Sequence, residues 1–416
     1  MRVTIMTLGT RGDVQPFVTL ACGLRDLGHE VTVSSSSSFQ WIADEHGVPY
    51  EPLDLDFSDL QNSDGAAAAM RGNVKAVINA MRTVKPLFRT SLTDQKRVVE
   101  STSPELLISH PKTLGGPHLA EWLGIPHVGS LVIPGVTTTG EFPPIPLTWT
   151  GTPAWLNRFA YQMIPMGMRS FKGIVADFRQ DELGLGGPTV LWDGAAPTMY
   201  GYSPTAVPNP DDWPPTAQAV GYWLPETPAS YEAPADLVDF IERGEPPVYI
   251  GFGSSIDADP AALGGLIRDA VDRADVRAVV QGGRQLVHIE SSDAVLFAES
   301  VPHSWLFPQM SCIVHHGGSG TTGEALRAAK PQVVVPFSVD QPFWAKRVHM
   351  LGVSPEPLPR KKLTSELLAR SIATARSDPT IARAGERVGK LLQAEDGVAA
   401  ASDYLGAIAN GRTPRP

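Results

Sequence analysis

Cysteine is almost missing from this chain of 416 residues: Cys22 and Cys312 are the only two, each inside an apolar run. Two such residues build neither a disulfide framework nor a cysteine metal site; they read as small core residues in a reducing, cytoplasmic compartment. No apolar run approaches the ~20 residues that a membrane-spanning helix needs. Met1 leads almost at once into a strand, without the charged and apolar regions of a secretory signal. Positive charge is in deficit too: 34 Lys and Arg stand against 44 Asp and Glu, a net charge of −10. That balance argues against a nucleic-acid surface and against a polybasic membrane patch. The one basic cluster, Arg360-Lys361-Lys362, falls in a loop and reads as a solvated edge. No internal repeat of short period is present. What remains is 42 % apolar and 19 % charged, an ordinary soluble globular composition, at a length that fits two or three cores.

The chain alternates strands with helices. Val3 to Leu8 reads as a strand, residues 9–15 as a loop, and Pro16 suits the first turn of a helix. Phe17, Leu20, Ala21, Leu24 and Leu27 share one face of that helix, Gly28 stops it, and Glu30 to Ser34 is the next strand. Strand, loop, helix and strand at this length make a right-handed parallel crossover, the start of an open α/β sheet. A nicotinamide enzyme would carry an acid for the ribose after the second strand; the serines 34–38 stand there instead. Residues 66–100 read as helical, Leu106 to Ser109 and His127 to Val132 as buried strands, and 134–153 as a loop rich in Pro, Thr and Gly. Residues 155–178 then carry apolar side chains on too many faces for a simple surface helix. Either they are ordinary core, or Trp155, Phe159, Met163 and Met166 line an apolar ligand pocket, where Met and aromatic side chains adapt to varied shapes.

Proline is dense from 203 to 234, the best domain boundary. A second α/β domain follows, with strands at Val248 to Phe252, Ala278 to Gln281, Val295 to Ala298, Cys312 to Val314 and Gln332 to Phe337. The expected organisation is a domain over 1–215, a linker over 216–235, a second domain over 236–397 and a helix in 398–416 that packs back on the first domain. The fold class is therefore α/β, two Rossmann-like doubly wound parallel-sheet domains facing each other across a cleft. Ligands in such sheets bind beyond the carboxyl ends of the strands.

The most informative stretch runs from Cys312 to Pro331. A short buried strand ends in His315 and His316, Gly317, Gly318, Ser319 and Gly320 turn the chain, and Thr321 with Glu324 reads as a capping box opening a helix. Strand, glycine turn and helix N-terminus point unpaired N–H groups and the positive end of a helix dipole at one small volume, which suits a phosphate. No Gly-Lys-Ser/Thr closes the loop, so it is not a Walker loop, and its position rules out a dinucleotide fingerprint. Asp13, Ser254, His315 and Asp340 all stand just past strand ends. Asp13 can serve as a general base for a hydroxyl or simply cap the helix behind it. Ser254 can give a hydroxyl and an N–H to a phosphate or be a plain turn residue. Trp305 can stack on a base or pack in the core. Asp340 and Gln341 make a good pair for adjacent sugar hydroxyls, although Asp340 also suits an N-cap. Asp54-Leu55-Asp56 and Asp257-Ala258-Asp259 spell a metal-binding DxD, but in loops of the wrong context.

GTRGDVQP at 9–16, GFGSS at 251–255, PHSWLF at 302–307, HHGGSGTT at 315–322 and PFSVDQPFWAKRV at 336–348 together resemble the nucleotide-sugar-dependent glycosyltransferases of GT-B fold, family 1. The resemblance is to the branch of sterol 3-beta-glucosyltransferases and bacterial natural-product glycosyltransferases. It covers nearly the whole chain, although 55–215 matches only in outline. It implies that Asp13 deprotonates the acceptor, where related plant enzymes use a histidine. Thr10, Arg11, Ser254, His315 and the Gly317, Gly318, Ser319, Gly320 and Thr321 turn would hold the donor diphosphate. Ser304 and Trp305 would hold the base, and Asp340 and Gln341 the sugar. It further implies an inverting transfer from a UDP-sugar or dTDP-sugar to an apolar small molecule, with no metal and no other cofactor. A nucleotide-sugar 2-epimerase and a non-catalytic activator of a partner transferase are the rival readings.

Overall fold

The computed structural model describes residues 1–55, 74–145, 147, 151–191, 194, 196–253, 259–283, 287–337 and 339–414. Ser254 and residues 66–73 lie outside them, as do parts of both DxD triplets. The first sheet contains β1 (Arg2–Met6), β2 (Glu30–Ser36), β3 (Tyr50–Leu53), β4 (Leu106–Ser109), β5 (His127–Leu131), β6 (Thr198–Tyr200) and β7 (Ala217–Ala219). Its order is β3-β2-β1-β4-β5-β6-β7, parallel throughout. The second sheet contains β8 (Val248–Gly251), β9 (Ala278–Gln281), β10 (Val295–Ala298), β11 (Cys312–His315) and β12 (Gln332–Val334), in the order β10-β9-β8-β11-β12, also parallel.

Helices cover both faces of each sheet, so the strands are apolar on both sides. In chain order they are α1 (Arg11–Asp26), α2 (Gln40–Glu45), α3 (Val74–Thr102), α4 (Gly116–Leu123), α5 (Ala154–Tyr161), α6 (Met163–Met168) and α7 (Lys172–Asp181). The second half adds α8 (Ala235–Glu242), α9 (Pro260–Ala274), α10 (His303–Leu306), α11 (Ser319–Arg327), α12 (Gln341–Met350), α13 (Ser365–Ser377), α14 (Pro379–Gln393) and α15 (Gly397–Ala409). The two-residue period of a strand sorts its side chains between two cores. Val3 and Ile5 of β1 join Phe17, Leu20 and Leu24 of α1, while Met6 faces the opposite core with Leu92 and Val98 of α3. Burying one such side chain contributes roughly 1.5–3 kcal/mol.

A third core joins the two domains. Leu131, Tyr200 and Tyr202 of the first pack with Leu326, Trp344 and Val348 of the second. Phe142 meets Phe343 edge-on at 5.7 Å, and Arg347 donates from Nε and a terminal nitrogen to the Ala206 carbonyl at 3.0 and 2.7 Å. Helix α15 returns to the first domain, where Ala401, Tyr404 and Leu405 complete its core and the Tyr404 hydroxyl donates to the Thr216 carbonyl at 2.6 Å. Gly23 of α1 lets Val398 approach, since a Cβ there would lie 2.2 Å from the Val398 side chain.

Four stretches read from the sequence differ in the structure. Helix α1 begins at Arg11, a turn before Pro16, because Asp13 accepts the Thr10 N–H at 2.9 Å and starts the helix early. Ala217–Ala219 forms β7, so the first sheet extends into the stretch read as linker. The 155–178 stretch is three helices. A proline at 165 has no N–H to offer the Tyr161 carbonyl, and α5 ends there. Helix α11 starts at Ser319 with Gly318 at its N-cap, so Thr321 and Glu324 are not a capping box; Glu324 is buried and pairs with Arg327 at 3.0 Å.

Candidate active site

In each sheet the strand order reverses once, between β1 and β4 in the first and between β8 and β11 in the second. The loops after these strands diverge there and leave a crevice, the place where open α/β sheets bind ligands. In the second domain the crevice is walled by Gly253 after β8 and by His316, Gly317 and Gly318 after β11. Gly317 and Gly253 have φ of +89° and +59°, and a Cβ on Gly317 would press the Gln341 carbonyl at 3.0 Å. The His316 ring lies between two glycines: a Cβ on Gly253 would come within 2.7 Å of it and one on Gly318 within 2.5 Å. The first intrahelical bond of α11 runs from the Thr322 N–H to the Gly318 carbonyl, at 2.9 Å. The N–H groups of Ser319, Gly320 and Thr321 precede it at the positive end of the helix.

The two histidines have different surroundings. His315 is fully buried; its Nδ1 accepts the Gly317 N–H at 3.1 Å, so Nε2 carries the proton and donates to Gln332 Oε1 at 2.9 Å. Burial pushes its pKa down to about 3, so it is neutral and holds the turn together. His316, pushed down to about 4 by burial, leaves a buried Nδ1 with no hydrogen-bond partner among the described residues. A buried polar atom without a partner is costly, and a ligand that supplies one removes the cost. The His316 ring is thus the imidazole facing the cradle, whereas the sequence reading had singled out His315. The signal was present in the sequence: His315 continues the buried strand, and its neighbour is the first residue past it.

In the first domain, Asp13 sits in the first turn of α1 and Lys112 in the turn after β4. Lys112 Nζ lies 2.9 Å from Asp13 Oδ1, while Asp13 Oδ2 accepts the Thr10 N–H at 2.9 Å and the Thr10 hydroxyl at 3.3 Å. Burial pushes the Asp13 carboxyl pKa up. The charges of Lys112 and His110, with the hydrogen bonds from Lys112 and Thr10, outweigh that and hold it below the ordinary value. Asp13 is therefore an ionised carboxylate with a side chain 18 % exposed to the cleft. Lys112 and His110 escaped the sequence reading, although His110-Pro111-Lys112 follows a strand at the switch point.

The other expected residues ring this space. Asp340 precedes α12 next to Val339, a β-branched residue held at φ +55°, a strained conformation that clusters at functional loops. Burial, then the charge of Asp13, push the Asp340 pKa up to about 6, so the two carboxylates sense each other across the cleft. Gln341 turns its Oε1 to the Phe337 N–H at 2.7 Å. Arg11 lies over the Trp41 ring at 5.4 Å, and its charge helps to depress the His303 pKa in the opposite domain, second to burial. Ser319 binds across the cleft, its hydroxyl donating to the Val132 carbonyl at 2.7 Å. Ser304 and Thr227 hydroxyls lie 2.7 Å apart, and half-buried Trp305 meets Tyr231 edge-on at 5.8 Å. A cavity of about 280 Å³ opens beside them, lined by Glu226, His303, Ser304, Glu324, Arg327 and Gln393. Trp155, Phe159, Met163 and Met166 are 67, 65, 55 and 56 % exposed, so they do not form core.

Two facing parallel-sheet domains, each with polar residues at its switch point, constitute the GT-B architecture. Residues 3–139 match the glycosyltransferase family 28 N-terminal domain, and 267–396 match the erythromycin biosynthesis protein CIII-like C-terminal domain. A sterol 3-beta-glucosyltransferase of Arabidopsis thaliana is 33 % identical over 97 % of this chain and 67 % of its own length. A second from that plant is 34 % identical over 96 % of this chain, which spans 64 % of it. One from Aspergillus terreus is 31 % identical over 96 % of this chain, which spans only 29 % of it. The crystal structure of glycosyltransferase VinC with dTDP superposes with a TM-score of 0.69 at 21 % identity over 99 % of this chain and 100 % of its own. The glycotransferase of kitacinnamycin superposes with a TM-score of 0.69 at 18 % identity over 98 % of both. The chain belongs to the GT-B glycosyltransferases, in the branch that holds the sterol 3-beta-glucosyltransferases, and is an enzyme of that class. Among the described residues no helix is long and apolar enough to cross a membrane.

Proposed function

We propose that this enzyme moves a hexose from a UDP-sugar or dTDP-sugar to a hydroxyl of an apolar small molecule, a sterol or polyketide-like aglycone, with inversion at the anomeric carbon. The observation that carries this reading is the pairing of an ionised Asp13 in one switch-point crevice with the glycine cradle and α11 N-terminus in the other. Asp13 accepts the proton of the acceptor hydroxyl. The oxygen bonds to the anomeric carbon, and the bond to the diphosphate breaks with its electron pair leaving on the phosphate. The α11 N–H groups and His316 stabilise that developing charge. An α-linked donor then gives a β-glycoside. Ser304, Trp305 and the cavity beside them take the nucleoside, with Ser254 and Arg11 at the phosphates and Asp340 and Gln341 at the sugar.

The acceptor is assigned to the stripe of Trp155, Phe159, Met163 and Met166. Trp155 and Phe159, four apart, share one side of α5, and Met163 and Met166, three apart, share one side of α6; their exposure leaves apolar faces for a ligand to cover. The match of 267–396 to an erythromycin biosynthesis domain favours a second reading, a dTDP-deoxysugar donor with a macrolide or glycopeptide acceptor. A calorimetric panel of UDP, dTDP and their sugars, followed by acceptor screening with the tightest donor and NMR of the product linkage, tests both. An α-glycoside from an α-linked donor, or sugar conversion without acceptor, refutes the inverting transfer.

A further inference from the structure

Asp13 does not stand alone in its crevice. Lys112 reaches it from the neighbouring strand end, and its own backbone is fixed: the Lys112 N–H donates to His110 Nδ1 at 3.0 Å, and the Thr113 hydroxyl donates to the His110 carbonyl at 2.8 Å. His110 is 5 % exposed, and Leu114 closes the turn with φ +64°. The lysine is therefore presented by a rigid turn. Each Asp13 oxygen has an assigned donor, Lys112 on Oδ1 and Thr10 on Oδ2. Two points thus fix the carboxylate plane, and because the Thr10 hydroxyl also donates to Oδ2, the remaining acceptor site is on Oδ1.

We propose that Lys112 is a positioning residue for glycosyl transfer, holding Asp13 oriented and ionised before the acceptor binds and returning it to that state after each turnover. The inference rests on reading Asp13 as the base. When Asp13 takes the acceptor proton, its charge passes through the attacking oxygen to the departing diphosphate. The ammonium then sits beside a neutral carboxyl and favours release of its proton to solvent. Asp340 provides an internal comparison. It is also withdrawn from water, has no ion pair among the described residues, and is pushed up to about 6 by burial and the Asp13 charge, although the more distant Lys112 charge pulls it down. Asp13, with Lys112 in contact, goes the other way. The charged and titratable groups facing Asp13 are Lys112 and His110 after β4 and Asp340 before α12.

The test is the pH dependence of kcat/KM for the wild type, Lys112→Met, Lys112→Gln, Lys112→Arg and Asp13→Asn, with one donor and one acceptor. Removing the ammonium leaves burial to raise the Asp13 pKa, so the acid limb should move up by at least about one pH unit. Below that limb the neutral variants should lose about tenfold or more in kcat, with little change in donor KM. The arginine variant should return the limb to its wild-type position. A wild-type limb in either folded neutral variant overturns the proposal, and the second neutral variant covers a first that fails to fold. Full turnover in Asp13→Asn would instead remove Asp13 as base, a separate failure.

Discussion

His315 Nε2 lies 2.9 Å from Gln332 Oε1, and His315 Nδ1 lies 3.1 Å from the Gly317 nitrogen, so both ring nitrogens are engaged inside the protein. The bond to Gln332 ties β11 to β12, and the bond to Gly317 shapes the turn that presents His316. Replacing His315 by Ala leaves Gln332 and the Gly317 N–H without these partners in a buried site. It should lower unfolding free energy by about 1–3 kcal/mol. His316→Ala should leave stability nearly unchanged and weaken nucleoside diphosphate binding about tenfold or more. Denaturant melts and calorimetry on both variants separate the roles, and a reversed pattern would return the phosphate contact to His315.

Asp13→Asn keeps the shape of the side chain and removes the base. Turnover should fall at least ~100-fold while donor affinity holds, the usual scale for losing a general base. Because Asp13 also accepts the Thr10 N–H in the first turn of α1, Asp13→Ala should cost stability in addition. Thermal melts of the two variants, compared with their rates, distinguish capping from catalysis.

Asp340 links pH to stability. Its folded pKa, pushed up to about 6 by burial and by Asp13, exceeds the reference value of 3.8, so the folded state holds the proton more tightly. The stability this contributes is complete below about pH 4 and is lost as pH rises through 6. Asp340→Asn cannot titrate there. Its stability relative to the wild type should therefore improve between pH 4 and 6 and level off above. A difference that stays flat over that window contradicts the raised pKa.

A charge on the exposed stripe should act on the acceptor alone. Met166→Asp is expected to raise the acceptor KM about tenfold and spare donor affinity, because apolar cover contributes roughly 25 cal/mol per Å². Steady-state kinetics with a fixed donor and a sterol, flavonoid or macrolide acceptor measure it. An unchanged acceptor KM removes the stripe from the acceptor site.

Activity should survive excess chelator. The reading rests on what holds the diphosphate: the α11 N-terminus and Arg11, which supply positive charge from the protein itself, with the neutral His316 ring as a hydrogen-bond donor. Loss of turnover in EDTA, restored by a divalent ion, would overturn it.

Period and punctuation made most of the fold legible. The strands Leu106–Ser109, Ala278–Gln281 and Val295–Ala298 read correctly to the residue, because parallel strands appear as short apolar runs between turns. The three-residue strands β6 and β7 were not read, since two or three apolar residues among prolines carry no period. At the site, Asp13 and Asp340 followed from their places after strands. Lys112 required the strand order itself, because only the pairing of β1 with β4 brings residues 13 and 112 together. The orphaned His316 nitrogen and the exposure of the Trp155 stripe depend on three-dimensional packing, which single-chain periodicity does not contain.

The return of α15 to the first domain has a consequence for synthesis. Ala401, Tyr404 and Leu405 are integral to the core built around β1 and α1, and Trp223 donates its indole N–H to the Gly397 carbonyl at 3.1 Å. A chain emerging N-terminus first therefore exposes the apolar groove beside Phe17 and Leu24 throughout translation of the second domain. The first domain closes that groove only after residues 397–409 have left the ribosome, so its core is completed after the second domain has been made.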